Sequence, residues 1–336
     1  MLALFRNNQS TTVFLLALYL ILLRLPALLG WVQPQEHLGE QDGGQLYRTL
    51  FGWAEASAFA SAFAAAVIVF GQAVLVNRLA DFYRIMDDRT WLPGTLYIAA
   101  ASCIPDFLFL SPTLVATTFI PLALHRIFSV YRQTLAFGAI FDAAFWTVLA
   151  AFFHPPAIWC IGAAFLSLFS LRSFSTREQF IFLTGILVPL VLALTSYFWV
   201  DQAGQFGSQQ IGRSLFWPSV GMPDSLFATL KAILIAILFV ACLLGFNVYY
   251  YKRLIQVQKY VTIFYWFLFA SFLAALFQFE WHSESLLLAA PSIGIFLAYL
   301  FQASRNTKLL ELFHLFLLIA IFIIQFYPKL AQTVIQ

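Results

Sequence analysis

TTVFLLALYLILLRLPALLGW, residues Thr11–Trp31, decides the fold. A single charge, Arg24, interrupts a run long enough to cross a hydrocarbon core of about 30 Å, which takes roughly 20 helical residues. The run is continuously apolar rather than alternating, so a lipid-facing barrel strand does not fit it. It is also too long for the apolar centre of a signal peptide and lacks a small-residue cleavage site, so it reads as an uncleaved first span.

Runs of this kind recur along the chain. Of its 336 residues, 62% are apolar and 10% charged, against roughly 45–50% and about 25% in soluble domains. A water-soluble globule is excluded. The sequence predicts an all-α transmembrane bundle of eleven spans, near residues 11–31, 51–76, 91–109, 111–129, 135–152, 156–171, 179–200, 225–248, 260–279, 286–303 and 309–327, with no separate aqueous domain. The least regular part is 91–129, where Pro93, Pro105, Pro112 and Pro121 leave open whether two full spans or a re-entrant pair forms.

Loop charge sets the orientation. With the N-terminus inside, thirteen basic residues fall on the inner side, from Arg6 and Arg78 through to Arg305 and Lys308, and five on the outer side: Arg24, Arg48, Arg213, Lys231 and Lys329. The expectation is N-in, C-out. The net charge of +3 and the lack of a basic, aromatic-interleaved tract argue against nucleic acid as a partner. Cys103, Cys160 and Cys242 stand singly in apolar runs and read as small core residues. No phosphate-binding loop, dinucleotide fingerprint, zinc-protease motif or nucleophile elbow occurs, so no cofactor or metal is expected.

Ionisable groups within spans are expensive, by about 2.5–3.5 kcal/mol on insertion scales, so each demands a reason. Arg24, Glu55, Asp106, Asp142, Lys231, Glu311 and His314 form this set. Arg24 and Glu55 approach from the outer ends of consecutive spans and could pair. Asp142 should face the bundle interior and meet an Arg or a Ser/Thr hydroxyl from another helix, and His314 a hydrogen-bond partner at a helix interface.

The outer side collects acids and bases. Asp106, Glu55 and His154 are the candidate catalytic groups, and Arg48, Arg213 and Lys231 the candidate substrate-binding cations. A carboxylate or imidazole beside a cation suits a hydroxyl nucleophile and a phosphate leaving group, as a polyprenyl-phosphate-linked saccharide would supply. Glu280, His282 and Glu284 alternate in one outer loop, a weak metal-ligand spacing. On the inner side, Asn77, Arg78, Asp81 and Arg84 are a candidate cytoplasmic docking stripe, Asn77, Asp81, Arg84 and Asp88 sharing one face if the second helix continues past the membrane.

Three stretches, VNRLADFYRIMDDRTWLPGTLYI (76–98), FDAAFWTVLAAFFHPP (141–156) and RSFSTREQFIFLTGILVPL (172–190), together resemble an uncharacterised family of polytopic inner-membrane proteins from Bacteroidota. The resemblance covers about the first 200 residues. It implies a bacterial inner-membrane location and assigns no catalytic residue. Two classes of function stay open: an envelope enzyme acting on lipid-linked saccharide at the outer leaflet, and a non-enzymatic carrier or subunit of an envelope complex.

Overall fold

The computed structural model describes residues 5, 11–34, 43–53, 57–211, 225–245, 254–278, 283–303 and 307–335. Among them there is no strand, and helices account for the architecture. In chain order these are α1 (Thr11–Leu28), α2 (Gln45–Phe51), α3 (Ala58–Phe82), α4 (Leu92–Ala100), α5 (Pro112–Ser129), α6 (Phe137–Phe153), α7 (Trp159–Leu171), α8 (Thr176–Trp199), α9 (Ala203–Phe206), α10 (Leu226–Leu244), α11 (Ile255–Leu276), α12 (Ala290–Ala303) and α13 (Thr307–Ile335). Among the described residues, seven helices are long and apolar enough to cross a membrane. Large apolar side chains such as Phe14, Phe63, Val191 and Leu244 stand exposed on the bundle's flanks. In water such a surface would drive aggregation; in lipid it is the solvent-facing side.

Each of the eleven expected spans coincides with helix, but they are not equivalent. The second begins at Ala58, not residue 51, because Ser57 caps it by accepting from the Ala60 N–H, while Gln45–Phe51 folds as a helix of its own. The third is only half helical. Its 9 helical residues rise about 14 Å at about 1.5 Å per residue. The chain then leaves the helix and reaches Ser111 through a 3-10 turn at Pro105–Leu108. Both the half-helix and the irregular stretch are buried throughout. Non-helical backbone is tolerated at membrane depth only when protein covers it, and α1, α3, α12 and the segment Ser283–Ala289 supply that cover.

Polar side chains stitch this region together. Tyr97 on α4 donates to Gln72 Oε1 on α3 at 2.5 Å, and Gln72 Nε2 donates to Leu114 O and Thr118 Oγ1 on α5 at 2.8 and 2.7 Å. From the opposite side Gly294 on α12 lies so close that an added Cβ would sit 2.9 Å from the Tyr97 backbone nitrogen. Close backbone approach through small residues is how helices associate where lipid removes the hydrophobic drive between them.

The two ends of the bundle differ in charge. At one, Arg126 pairs with Asp142 at 3.1 Å, Arg172 with Glu178 at 3.0 Å, and Lys259 Nζ donates to Leu171 O at 2.6 Å. Arg78, Arg84, Arg89, Arg132 and Arg177 follow or precede these helix ends. Asp142 thus meets an arginine of another helix, as expected, although it is part-exposed at the edge rather than in the interior. The other end carries Tyr47, Asp106, His154 and Lys231. His314 accepts or donates one hydrogen bond with Tyr19 Oη at 3.0 Å, joining α13 to α1.

Candidate functional site

Arg24 explains how the broken span survives. Its guanidinium is fully buried and donates from Nη1 to Leu108 O at 2.9 Å and from Nη2 to Ala101 O at 3.0 Å and Phe107 O at 2.8 Å. These carbonyls lie at the C-terminal cap of α4 and in the 3-10 turn beyond it, where the helix ladder no longer supplies donors. The partial negative charge at a helix C-terminus also favours a cation there. Sequence spacing suggested an Arg24–Glu55 ion pair; Glu55 lies outside the described residues, and the observed partners of Arg24 are main-chain oxygens.

The turn that Arg24 holds presents Asp106. Lys231 near the start of α10 reaches across to it, with Nζ 2.8 Å from Oδ2, and Ser283 Oγ donates to the same oxygen. Asp106 is 3% exposed, and its other oxygen, Oδ1, has no hydrogen-bond partner among the described residues. A buried carboxylate lone pair left unfilled is costly, and such groups demand an explanation. Lys231 also lies over the Phe227 ring at 4.9 Å, which stacks on Tyr327 of α13. An apolar and aromatic wall therefore flanks the ion pair.

His154 stands on the same end. It is the C-cap of α6, turned out of the helix by the two prolines that follow, and it is 2% exposed. Ser285 Oγ lies 2.9 Å from Nε2 and Thr113 Oγ1 3.4 Å from Nδ1. One 3-10 helix, Ser283–Ala289, thus serves both groups. At about three residues per turn, positions two apart point in different directions, so Ser283 faces Asp106 while Ser285 faces His154. The segment packs against Pro105–Leu108, α5 and α11, which sets the two sites side by side.

Arg48 arrives on α2. The segment docks because Gly44 N donates to Phe153 O at 2.9 Å and Tyr47 Oη to Leu110 O at 3.3 Å. A Cβ on Gly44 would lie 1.9 Å from Phe152 O, so only glycine permits this contact. Of the six outer residues expected from the sequence, Asp106, His154, Lys231 and Arg48 come to one end of the bundle; Glu55 and Arg213 lie outside the described residues. Glu280 and His282 do too, while Glu284 is buried.

No protein-family model, curated protein or solved structure matches this chain.

The inner stripe rearranges more. Asn77 is 1% exposed and does not face the cytosol: its Oδ1 accepts from Gly94 N at 3.4 Å, capping the start of α4, and its Nδ2 donates to Asp81 at 3.5 Å. The continuous face from Asn77 to Asp88 does not form either. α3 ends at Phe82, and Arg84 adopts a left-handed φ of 49° that turns the chain back. Arg78 and Arg84 remain exposed and Asp81 half-buried. Beside them Tyr83 donates to His125 O at 2.7 Å; burial, and then nearby Tyr260, push its hydroxyl well above the ordinary phenol range, so it stays a donor.

Sequence reasoning missed Ser283, Ser285 and Thr113. The serines alternate with Glu284 in the stretch inspected for metal ligands, and nothing local marks them. Their importance comes from what lies opposite, 177 and 131 positions away in the chain.

Proposed function

We propose that this membrane-embedded helical protein is a bacterial inner-membrane enzyme of the cell envelope that handles polyprenyl-phosphate-linked saccharide at the outer leaflet. The observation that carries the reading is the half-filled Asp106 carboxylate: one oxygen tied by Lys231 and Ser283, the other buried and, among the described residues, unpartnered. An acceptor hydroxyl donating to Oδ1 would complete it. Asp106, Glu55 and His154 serve as the bases, and Arg48, Arg213 and Lys231 supply positive charge to the phosphate on which the leaving electrons settle. Lys231 is pre-positioned by its carboxylate, and the His154 imidazole, held between two hydroxyls, is placed to take a proton.

The test is lipid-linked saccharide binding and turnover by the full chain in nanodiscs, with undecaprenyl-diphosphate-linked oligosaccharide as the probe. Wild type should retain the probe through purification and pass its sugar to an acceptor. Asp106→Asn and His154→Gln should lose transfer by about a hundredfold or more while still binding. Lys231→Met should lose binding. A wild-type chain that ignores the probe and co-purifies with a stoichiometric envelope protein would instead make it a non-enzymatic carrier or subunit. In that case the exposed Arg78 and Arg84 and the half-buried Asp81 are the residues to test for docking.

A further inference from the structure

The arginine-rich end holds a cavity of about 520 Å³ that the chemistry above does not use. Leu75, Leu79 and Phe82 of α3 and Leu122 of α5 form an apolar wall, and Arg78, Arg89, Asp81 and His125 form a polar side. Pro121 lines it as well; a proline inside a helix removes a backbone bond and pushes its neighbours apart, which opens space between α3 and α5. Phe82 is 72% exposed, so the cavity meets the bundle's lipid-facing flank. A second cavity of about 250 Å³ shares Asp81 and Arg89 and adds Arg84, Asp87 and Asp88.

A wall of leucines in a cavity that two guanidinium groups also line suits an amphipathic phosphate. Guanidinium is the side chain best matched to phosphate oxygens, and Arg78 has no ion pair among the described residues. It sits four residues before the end of α3, about 6 Å along the helix, the depth at which a headgroup meets acyl chains. The acids decide between headgroups. Across the two cavities Arg78, Arg84 and Arg89 face Asp81, Asp87 and Asp88, a balance that disfavours a purely anionic ligand and fits one carrying a cation beyond its phosphate.

We propose that this double cavity binds a zwitterionic aminophospholipid of the inner leaflet. The phosphate lies between Arg78 and Arg89, the ammonium reaches Asp81 and the acidic second cavity, and an acyl chain runs along Leu75, Leu79 and Leu122. This site is independent of the outer one, and its failure leaves that reading untouched.

The experiment is retention of lipid by the full chain, extracted from vesicles of equal phosphatidylethanolamine and phosphatidylglycerol and weighed by native mass spectrometry. Wild type should keep phosphatidylethanolamine in preference. Arg78→Gln with Arg89→Gln should reduce retention by about tenfold, and Asp81→Asn should erase the preference while phosphate binding persists. A Leu122→Cys chain with native charges should react more slowly with maleimide in phosphatidylethanolamine than in phosphatidylglycerol nanodiscs, which checks the site without touching a charge. Equal retention of both lipids by wild type, or equal maleimide rates, would overturn the proposal. So would displacement by soluble glycerophosphoethanolamine as effective as by the lipid, since the occupant would then be a soluble phosphate compound.

Discussion

Arg24 and the Asp106–Lys231 pair show two ways of keeping a charge inside a bundle. Arg24 gives its protons to carbonyls that would otherwise be orphaned, and Lys231 meets a carboxylate. Removing either is different from removing a surface charge, because the partners stay buried. Arg24→Met should destabilise by about 3 kcal/mol or more, three acceptors being left without donors. Arg24→Lys should recover only part of that, since an ammonium lacks the fork that reaches Ala101, Phe107 and Leu108 together. Thermal unfolding in detergent measures both. For the pair, Asp106→Asn and Lys231→Met should each cost about 3–5 kcal/mol, and the double variant much less than the sum; additive losses would mean that the 2.8 Å contact is not an energetic unit.

Among elements, the half-helix α4 is the one on which the others depend. Its N-terminus is capped by a residue from another helix, Asn77, and its C-terminal carbonyls are held by a third, α1. Asn77→Ala should lower stability by about 1 kcal/mol, the ordinary value of a cap, with Asn77→Asp partly restoring the acceptor; an unchanged midpoint would show that water replaces the side chain. The 3-10 helix Ser283–Ala289 is the corresponding keystone at the end that carries Asp106 and His154. Ser285→Ala should leave the fold in place and alter the pH profile of any activity through His154, whereas Ser283→Ala should act through Asp106. Identical effects from the two would show that the segment has only a packing role.

At the scale of the whole molecule, the separation of charge between the ends makes sidedness measurable. The native cysteines are buried and free, so an introduced thiol reports against a quiet background. By the positive-inside rule, Thr134→Cys should be labelled only after the cytoplasm is opened, and Asp201→Cys from outside in intact cells. The reverse pattern would invert every site discussed. The helical type and the approximate placement of the elements were legible from apolar run length alone, down to the irregularity at 91–129, because hydropathy acts locally and a long apolar run is helical in lipid. Their number was not, since among the described residues seven rather than eleven helices are long enough to cross. The site was legible only as types of residue. Asp106 was legible as an ionisable group inside an apolar run, but Ser283 and Ser285 carried no local mark. The inner stripe misled for a specific reason: helical spacing assumes that the helix continues, and Arg84 ends it.

By itself the sequence determined that this chain dissolves in a bilayer as a stack of helices, and which loops carry the arginines; both follow from transfer energies that each segment meets on its own. The tertiary structure alone decided who satisfies whom: Arg24 with the carbonyls of a broken helix, Asp106 with a lysine 125 residues away, Asn77 with the start of α4. A desolvated polar group needs a partner at contact distance, and contact distance between helices is a property of their packing that no single segment contains.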